Sequence, residues 1–408
     1  MLQIARSRST SPSRVEVACL PSAEELRDSI PSSSRGQEVV QRARDEASAI
    51  IQGDDDRLIV IVGPCSVHDV EAAKEYAGRL KVLSDRFRKD LLIIMRVYYE
   101  KPRSTVGWKG LLNDPYLDDT CQVLEGIRIT RELLRDITDM GVPAASEFVE
   151  ASTTQYFEDL VSWAAVGART VESQPHRQLV SGLDLPVGFK NSTGGEVSVA
   201  VDAVVCSGEE HTYLAPSSKG SMCIVRSRGN KNTHVVLRGG RSGPNYQEDK
   251  VAKCVELLSC AGLDRRGIVI DCSHGNSNKD YLRQPLVMAD ICHQLTTNSD
   301  VASSIAGVMI ESNLNEGSQS LPASLGRAVS IASESTDTST PGSTRPSRVD
   351  DELGSVPELD TRASVLTRQK LGLKYGVSVT DGCVSWETTE HMLSELAIAV
   401  DKRRSNVA

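Results

Sequence analysis

The chain has 408 residues, enough for one large α/β barrel or two ordinary domains. Its formal net charge of −9 argues against a global attraction to nucleic acid or to anionic membranes. The ten cysteines form no CxxC pair and no regular framework, as expected for reduced thiols in a cytoplasmic protein, and no apolar run approaches the ~20 residues that span a bilayer. The Ser- and Arg-rich start leaves a transit peptide as a less favoured alternative.

In chain order, residues 1–36 contain clusters of Ser and Pro and are predicted to be a flexible leader. A helical arm follows, GQEVVQRARDEASAIIQG, with Val39, Val40, Ala43 and Ala47 on one side. After it, eight β-rich runs alternate with amphipathic segments. The runs are LIVIVG (58–63), LLIIMRV (91–97), PAASEF (143–148), GARTVES (167–173), PVGFKN (186–191), HVVLRGG (234–240), GIVIDCSH (267–274) and IAGVMIES (305–312).

This alternation predicts an α/β fold, a (β/α)8 barrel whose catalytic domain spans residues 37–321 and 367–408. The runs HTYLAP and CIVRSR predict a β-hairpin inserted between the fifth and sixth barrel strands. A doubly wound open sheet explains the same alternation, but only a barrel brings all eight strand ends to one face. Each run ends in a polar residue able to do chemistry: Cys65, Arg96, Glu147, Arg169, Lys190, Arg238, His274 and Glu311.

Residues 322–366 are rich in Ser, Thr and Pro, which predicts a disordered insertion. Lengthening a loop from about 10 to about 55 residues costs only roughly 1.5 kcal/mol of closure entropy, so the fold tolerates such a segment. The final segment, WETTEHMLSELAIAVDKRR, carries apolar residues at helical spacing with cations at its end, which predicts a closing helix.

Six cations lie at or just beyond the predicted strand ends: Arg96, Lys101, Arg103, Arg169, Lys190 and Arg238. For any single Lys or Arg, a solvated surface charge is the ordinary explanation. However, Arg169, Lys190 and Arg238 directly follow apolar runs, where a structural residue would be aliphatic. Because buried like charges repel, this cluster predicts one or two small phosphorylated substrates that neutralise it.

A thiol, an imidazole and a carboxylate also lie at strand ends, in Cys65, His274 and Glu311. Each alone has a structural explanation, but together they suit a divalent metal, with Asp381 of VSVTDGCVSWE as a fourth ligand. Mixed ligation of this kind admits Mn, Fe, Co or Zn. The competing hypothesis is that Cys65 is a nucleophile with His68 or His274 as its base.

Seven motifs are together identifiable with a known family: GPCSVHD, MRVYYEKPRSTVGWKGLLNDP, GARTVESQPHRQLVSGLDLPVGFKN, HVVLRGG, DCSHGNSNKD, GVMIESNLNEGSQSL and YGVSVTDGCVSWE. They closely resemble the type I, microbial and fungal class of 3-deoxy-D-arabino-heptulosonate-7-phosphate (DAHP) synthases, over about 37–321 and 367–404. The resemblance implies a TIM barrel that condenses phosphoenolpyruvate with erythrose 4-phosphate and releases phosphate, the first step of the shikimate pathway. It also implies a homodimer or homotetramer and an aromatic amino-acid effector.

By motif, the resemblance assigns the metal to Cys65, His274, Glu311 and Asp381. It assigns phosphoenolpyruvate to Arg96, Lys101, Arg169, Lys190 and Arg238, with Glu147 lining the site. The phosphate of the acceptor would meet Arg103, Ser104 and Thr105. The implied catalytic residues are Lys101, Cys65 and His274, with Lys101 protonating the new alkoxide.

Three positions depart from the family in a region that resembles its feedback pocket: Glu150, Thr154 and Asp184 stand where Asp, Pro and Ser are commoner. A charge at Asp184 should disfavour an apolar aromatic ligand if it points inward. We therefore expect weakened or altered feedback, in a paralogue serving specialised metabolism. The alternatives are a synthase using another sugar phosphate, a non-catalytic regulatory or scaffold paralogue, and a protein that only binds anions.

Overall fold

A computed structural model describes residues 18–264, 267–297, 300–321, 367–369 and 371–407. The strands in those residues are β1 (Leu58–Gly63), β2 (Leu91–Arg96), β3 (Ala144–Glu147), β4 (Trp163–Val166), β5 (Val187–Lys190), β6 (Thr212–Pro216), β7 (Met222–Arg226), β8 (Thr233–Leu237), β9 (Ile268–Asp271) and β10 (Ile305–Glu311). Eight of them pair in parallel and close into a barrel, in the order β1-β10-β9-β8-β5-β4-β3-β2. This confirms the predicted (β/α)8 barrel.

The helices surround the barrel and precede it. They are α1 (Ala23–Ser29), α2 (Ser34–Gln52), α3 (Val70–Phe87), α4 (Val123–Asp139), α5 (Gln174–Ser181), α6 (Ser198–Ser207), α7 (Glu248–Cys260), α8 (Gln284–Thr296), α9 (Asp300–Ser303) and α10 (Trp386–Val407). Short 3-10 helices occupy Ala151–Tyr156, Glu158–Leu160 and Tyr281–Arg283. The predicted N-terminal arm and closing helix correspond to α2 and α10. Among the residues described, every helix is too short or too polar to cross a bilayer.

Alternation along each strand divides the core into two layers. In β1, Ile59 and Ile61 belong to the cluster inside the barrel, whereas Val60 and Val62 belong to the larger cluster between strands and helices. Because both layers exclude water, a barrel strand is buried on both faces, and its sequence is a continuous run of apolar residues. The inner cluster also includes Ile50 and Ile51 of α2, so the N-terminal arm is part of the barrel core.

The fourth strand lies earlier than the sequence analysis predicts. The run GARTVES (167–173) is a loop, in which the Thr170 and Val171 amides both donate to the Gly167 carbonyl. The strand is β4, whose Ala-rich sequence WAAV has a weak β propensity and gives little signal. Arg169 still lies just beyond a strand end, as predicted for the cations of the cleft.

The predicted flexible leader is also partly wrong, because its residues 18–36 include α1 and the start of α2. Ser22 and Glu25 form a capping box at the start of α1, each side chain accepting from the other residue's backbone amide. Arg27 of this helix pairs with Glu158 at 3.1 Å. Residues 1–17 and the predicted disordered insertion, 322–366, lie outside the described residues.

The predicted hairpin insertion is confirmed. Strands β6 and β7 pair antiparallel, from Thr212 opposite Arg226 to Pro216 opposite Met222, and lie in the chain between β5 and β8. Leu214, Met222 and Ile224 are exposed on it.

After β10 the chain leaves the barrel, and residues 378–384 later return to pair with residues 313–319. The Gly317 and Cys383 backbones exchange two hydrogen bonds, of 2.8 and 3.1 Å. The Gln319 amide donates to the Ser378 carbonyl at 2.8 Å, and the Asn313 amide donates to the Val384 carbonyl at 3.0 Å. The segment that follows residues 322–366 is therefore fastened to the C-terminal end of β10.

Candidate active site

A cleft of about 250 Å³ lies at the carboxyl ends of the barrel strands. It gathers most of the predicted substrate-binding side chains, although they are far apart in the sequence. Its lining consists of Lys101, Pro102, Arg103, Ser104, Thr105, Val106, Glu147, Ala168, Arg169, Lys190, Thr193, Arg238, His274, Lys279, Thr380 and Asp381. Convergence at this face is the position of active sites in (β/α)8 barrels.

A larger cavity, of about 950 Å³, lies between α2, α3 and β2, away from these strand ends. Several of its charges have partners: Arg57 lies 3.1 Å from Glu46, and Lys81 lies 2.5 Å from Asp85. The smaller cleft is the better candidate because its lining holds six cations and only two carboxylates, those of Glu147 and Asp381.

Three of the four predicted metal ligands lie together. Ligand atoms of Cys65, Glu311 and Asp381 are all within 4.8 Å of one another. The fourth, His274, places Nε2 3.7 Å from Oε1 of Glu311. Cys65 and Glu311 are fully buried, and the acidic groups crowd one another, so a divalent cation would neutralise them. The thiol, imidazole and carboxylate donors therefore fit such a metal.

Electrostatics at this group favour a charged carboxylate and a protonated thiol. Burial raises the pKa of the Cys65 thiol, and the neighbouring Glu311 charge raises it further. Burial also opposes ionisation of Glu311, but His274 and Arg96 outweigh it and bring the pKa of Glu311 to about 2. A bound cation would favour the Cys65 thiolate by the same Coulombic logic.

Lys101 lies against the metal-ligand group. Its Nζ donates to the Cys65 carbonyl at 3.0 Å and lies 3.2 Å from the Cys65 sulfur. Burial opposes its charge, but Cys65 and Glu311 outweigh that effect and raise the pKa of Lys101. Lys101 therefore carries a proton beside the site.

Lys190 is a buried cation shared between two carboxylates. Its Nζ lies 3.6 Å from Glu147 and 3.8 Å from Asp271. Burial lowers the pKa of Lys190 despite these partners. Burial likewise lowers the pKa of Arg238, which is partly exposed at the cleft. An anion in the cleft would stabilise the charge on both residues.

Arg96, predicted to bind substrate, lies behind the cleft rather than in its lining. Its side chain is fully buried, with Nη2 2.8 Å from Glu311 Oε1 and Nε donating to the Pro64 carbonyl at 3.1 Å. The guanidinium also lies over the ring of Tyr98, at 3.6 Å. In this structure, Arg96 organises Glu311.

The predicted acceptor loop, Arg103 to Thr105, is exposed at the mouth of the cleft. Arg169 Nε donates to Ser104 Oγ at 2.8 Å, which joins this loop to the loop after β4. Gly107 has φ +139°, and a side chain there would overlap the Arg103 guanidinium. The glycine thus permits the packing of Arg103.

His68 gains no support as a catalytic base. It is buried, and burial lowers its pKa to about 4, while its charged neighbours are Asp69 and Arg368. It is not among the residues that line the cleft. The remaining form of the nucleophile hypothesis would need His274, whose ring faces Asp271 on one side and Glu311 on the other.

The three candidate regulatory residues have different environments. Glu150 caps the 3-10 helix Ala151–Tyr156 by accepting from the Ser152 amide at 3.2 Å. Thr154 is buried, and its hydroxyl has no hydrogen-bond partner among the described residues. Asp184 is exposed, and its charge acts on Arg44.

Sequence reasoning missed four residues at or beside the cleft: Asp271, Thr193, Lys279 and Thr380. Asp271 ends β9 and lies against His274, a contact that the motif DCSH does not reveal. Lys279 and Thr380 lie within the motifs DCSHGNSNKD and YGVSVTDGCVSWE, which also contain the predicted ligands His274 and Asp381. Nothing about Thr193 in sequence signals its place.

Comparison with known proteins gives a consistent result. The profile of the DAHP synthetase I family matches residues 36–340. The Phe-sensitive phospho-2-dehydro-3-deoxyheptonate aldolase of Escherichia coli K12 is 43% identical, over 93% of this chain and 94% of its own. The tyrosine-inhibited enzyme of Schizosaccharomyces pombe is 44% identical, over 93% and 90%. A solved phospho-2-dehydro-3-deoxyheptonate aldolase from Francisella tularensis superposes with a TM-score of 0.80 at 44% identity, covering 96% of this chain and 99% of that one.

Proposed function

Because the chain belongs to the DAHP synthetase I family, we propose that it condenses phosphoenolpyruvate with erythrose 4-phosphate to give DAHP and phosphate. One observation connects this activity to the residues of the cleft. Lys101, Lys190 and Arg238 converge in one cleft with the ligand group of Cys65, Glu311 and Asp381. Two anionic substrates and a divalent metal match that combination.

The proposed metal ligands are Cys65, His274, Glu311 and Asp381, with Mn, Fe, Co or Zn as the candidate ions. When bound, the metal supplies a Lewis acid for the aldehyde oxygen of the acceptor. Arg96 and Ser273 hold the two oxygens of Glu311, each at 2.8 Å, and so orient this ligand.

Phosphoenolpyruvate is proposed to lie against Lys101, Arg169, Lys190 and Arg238, with Glu147 limiting how far the anion enters. Arg96 contributes indirectly, by adding positive charge behind the cleft. The exposed Arg103, Ser104 and Thr105 are proposed to take the phosphate of erythrose 4-phosphate. The bond from Arg169 to Ser104 then sets the distance between the two substrates.

The bond-forming step joins the methylene carbon of the enol phosphate to the aldehyde carbon. The aldehyde oxygen gains a proton, and Lys101, which is charged and next to Cys65, is the proposed donor. Water adds at the carbon that carried the developing positive charge and gives up one proton, which restores the charge on Lys101. The resulting phosphohemiketal loses phosphate, and Lys190 and Arg238 stabilise the negative charge on this leaving group.

The test is phosphate release by purified protein with each substrate alone and with both, in the presence and absence of Mn²⁺. We expect release only with both substrates and metal, and its loss in Cys65→Ala. Tight phosphoenolpyruvate binding without turnover across several metals would instead support a non-catalytic paralogue. A panel of sugar phosphates would reveal a different acceptor.

We further propose a homodimer or homotetramer. The exposed Leu214, Met222 and Ile224 of the hairpin offer an apolar surface that a second copy could cover. Light scattering of the wild type and of a Met222→Lys variant would test this assembly.

A cytoplasmic location is also proposed, and it accords with ten free cysteines, all within the described residues.

A further inference from the structure

The carboxylate of Asp271 is buried beneath the candidate metal site. It ends β9 and has no exposed surface. Its Oδ1 accepts from the Ser273 amide at 2.9 Å, and its Oδ2 lies 2.8 Å from Nδ1 of His274. Oδ1 is therefore hydrogen-bonded, whereas Oδ2 and Nδ1 lie within hydrogen-bond distance of each other but, among the described residues, neither atom has a hydrogen bond of normal geometry.

The imidazole of His274 lies between two carboxylates. Its Nδ1 side faces Asp271, and its Nε2 lies 3.7 Å from Oε1 of Glu311. The backbone at His274 has φ +53°, an uncommon value for a residue with a side chain. Its carbonyl accepts from the Lys279 amide at 2.7 Å, which holds this turn closed. The turn fixes the position of the imidazole ring, but it does not determine which ring nitrogen carries the proton.

We propose that Asp271 is a positioning residue that takes the Nδ1 proton of His274 in a hydrogen bond and so presents Nε2, free of a proton, to the metal. The inference rests on the proposed function, in which His274 is a ligand. Histidine ligands commonly need such a partner on the other ring nitrogen, because it fixes both the tautomer and the ring orientation.

The same carboxylate also contacts the substrate side of the cleft, since Oδ2 lies 3.8 Å from Nζ of Lys190. Asp271 is thus shared between a proposed metal ligand and a proposed phosphoenolpyruvate ligand. Ser273, two residues later, donates to Oε2 of Glu311 at 2.8 Å. One short segment after β9 therefore holds both His274 and Glu311.

Asp271→Asn gives a specific test, because an amide cannot replace both oxygens. The amide oxygen must face the Ser273 amide, since two donors would otherwise meet. The amide NH2 then faces Nδ1 of His274 and favours the tautomer with the proton on Nε2, where it blocks the metal. The change keeps the size of the side chain and reverses one hydrogen bond.

The experiment measures Mn²⁺ affinity of the metal-free full-length protein by calorimetry. We expect Asp271→Asn to bind Mn²⁺ about 10–100-fold more weakly than the wild type. The matched control is Asp280→Asn in the same loop, where the carboxylate is exposed and accepts from the Leu282 amide at 3.0 Å. The control should bind Mn²⁺ as the wild type does.

A second readout needs no bound metal. Nitrogen-15 spectra of the wild-type imidazoles, with the His274 signal identified by its loss in His274→Gln, should show the proton on Nδ1. Finding it on Nε2 would overturn the inference, as would unchanged Mn²⁺ affinity in Asp271→Asn. If the wild type bound none of Mn²⁺, Fe²⁺, Co²⁺ and Zn²⁺, the proposed function would fail, whereas the imidazole spectra would still decide the hydrogen bond.

Discussion

Arg96 and Glu311 form an ion pair with no exposed surface, in which Nη2 of Arg96 lies 2.8 Å from Oε1 of Glu311. The pair connects β2 to β10, which are not neighbours in the barrel but both flank β1. Because Glu311 is a proposed metal ligand, the guanidinium both compensates its buried charge and fixes its orientation.

Removing one partner of this pair should be strongly destabilising. We expect Arg96→Met to lower the free energy of unfolding by about 3–5 kcal/mol, since the Glu311 charge would stay buried without its partner. The control is Arg86→Met, which breaks an exposed pair with Glu390 at 2.9 Å and should cost no more than about 1 kcal/mol. Urea titration of the metal-free proteins measures both. Equal losses in the two variants would contradict the structural role of the pair.

Lys101 should matter for turnover more than for stability. We expect Lys101→Met to reduce kcat about 10²–10⁴-fold, the usual contribution of a positioned proton donor. Lys109→Met, in the same loop with an exposed side chain, should behave as the wild type. Steady-state kinetics with both substrates compares them. A kcat within twofold of the wild type in Lys101→Met would exclude Lys101 as the proton donor.

Ser104 should affect the acceptor rather than phosphoenolpyruvate. Ser104→Ala removes the hydroxyl that accepts from Arg169 at 2.8 Å, and a hydrogen bond to a charged group contributes about 1.5–3 kcal/mol. We expect the KM for erythrose 4-phosphate to rise about tenfold, equal to ~1.4 kcal/mol. Ser104→Thr retains the hydroxyl and should retain the affinity. An increase confined to the KM for phosphoenolpyruvate would show that the loop serves the other substrate.

Stability should fall as the pH rises from about 4.5 through 8, because of Glu100. Burial raises the pKa of Glu100 to about 8, from 4.5 in the unfolded chain. Between these values, the folded protein holds a proton that the unfolded chain has lost, so folding weakens with increasing pH.

Replacing Glu100 by Gln tests this linkage. Between about pH 6 and about pH 9, we expect the unfolding free energy of the wild type to fall by roughly 2–3 kcal/mol more than that of Glu100→Gln. Glu209→Gln, at an exposed site 3.8 Å from Lys231, should leave the pH profile unchanged. Denaturant unfolding at several pH values measures the profiles. Parallel profiles for the wild type and Glu100→Gln would rule out Glu100 as the titrating group.

Feedback inhibition should be weak and should depend on Asp184. This side chain is exposed, and its charge acts on Arg44. An apolar aromatic ligand bound nearby would have to contact this charged carboxylate, which disfavours binding. We expect Asp184→Ser to strengthen inhibition by at least one of phenylalanine, tyrosine and tryptophan by about tenfold, or ~1.4 kcal/mol. Initial rates across a concentration series of each amino acid provide the measurement. Strong inhibition of the wild type would contradict the prediction.

The barrel was predictable because strands buried on both faces leave continuous apolar runs, as in LIVIVG and IAGVMIE. β4 was misplaced because its Ala-rich run is short and the polar GARTVES follows it. The order in α1 had a visible signal, the Ser22–Glu25 capping box, which the Ser-rich composition obscured.

Some features of the candidate site were likewise predictable from the sequence, and others were not. Residues such as Lys190 were predictable because a cation directly after an apolar run is unusual. The position of Arg96 behind the cleft was not, since it depends on Glu311, which lies more than 200 residues away in the chain. The contact between Asp271 and His274 was equally hidden, because the pattern DCSH alone does not tell which side chains meet.

The backbone exchange between residues 313–319 and 378–384 has a consequence for the integrity of the chain. The two stretches are held to each other by main-chain bonds, so the position of Asp381 does not depend on the peptide that connects them in sequence. A protease that cut within residues 322–366 would therefore leave a nicked but assembled enzyme. For the same reason, we expect natural variation or a fused reporter in that stretch to leave Asp381 in place.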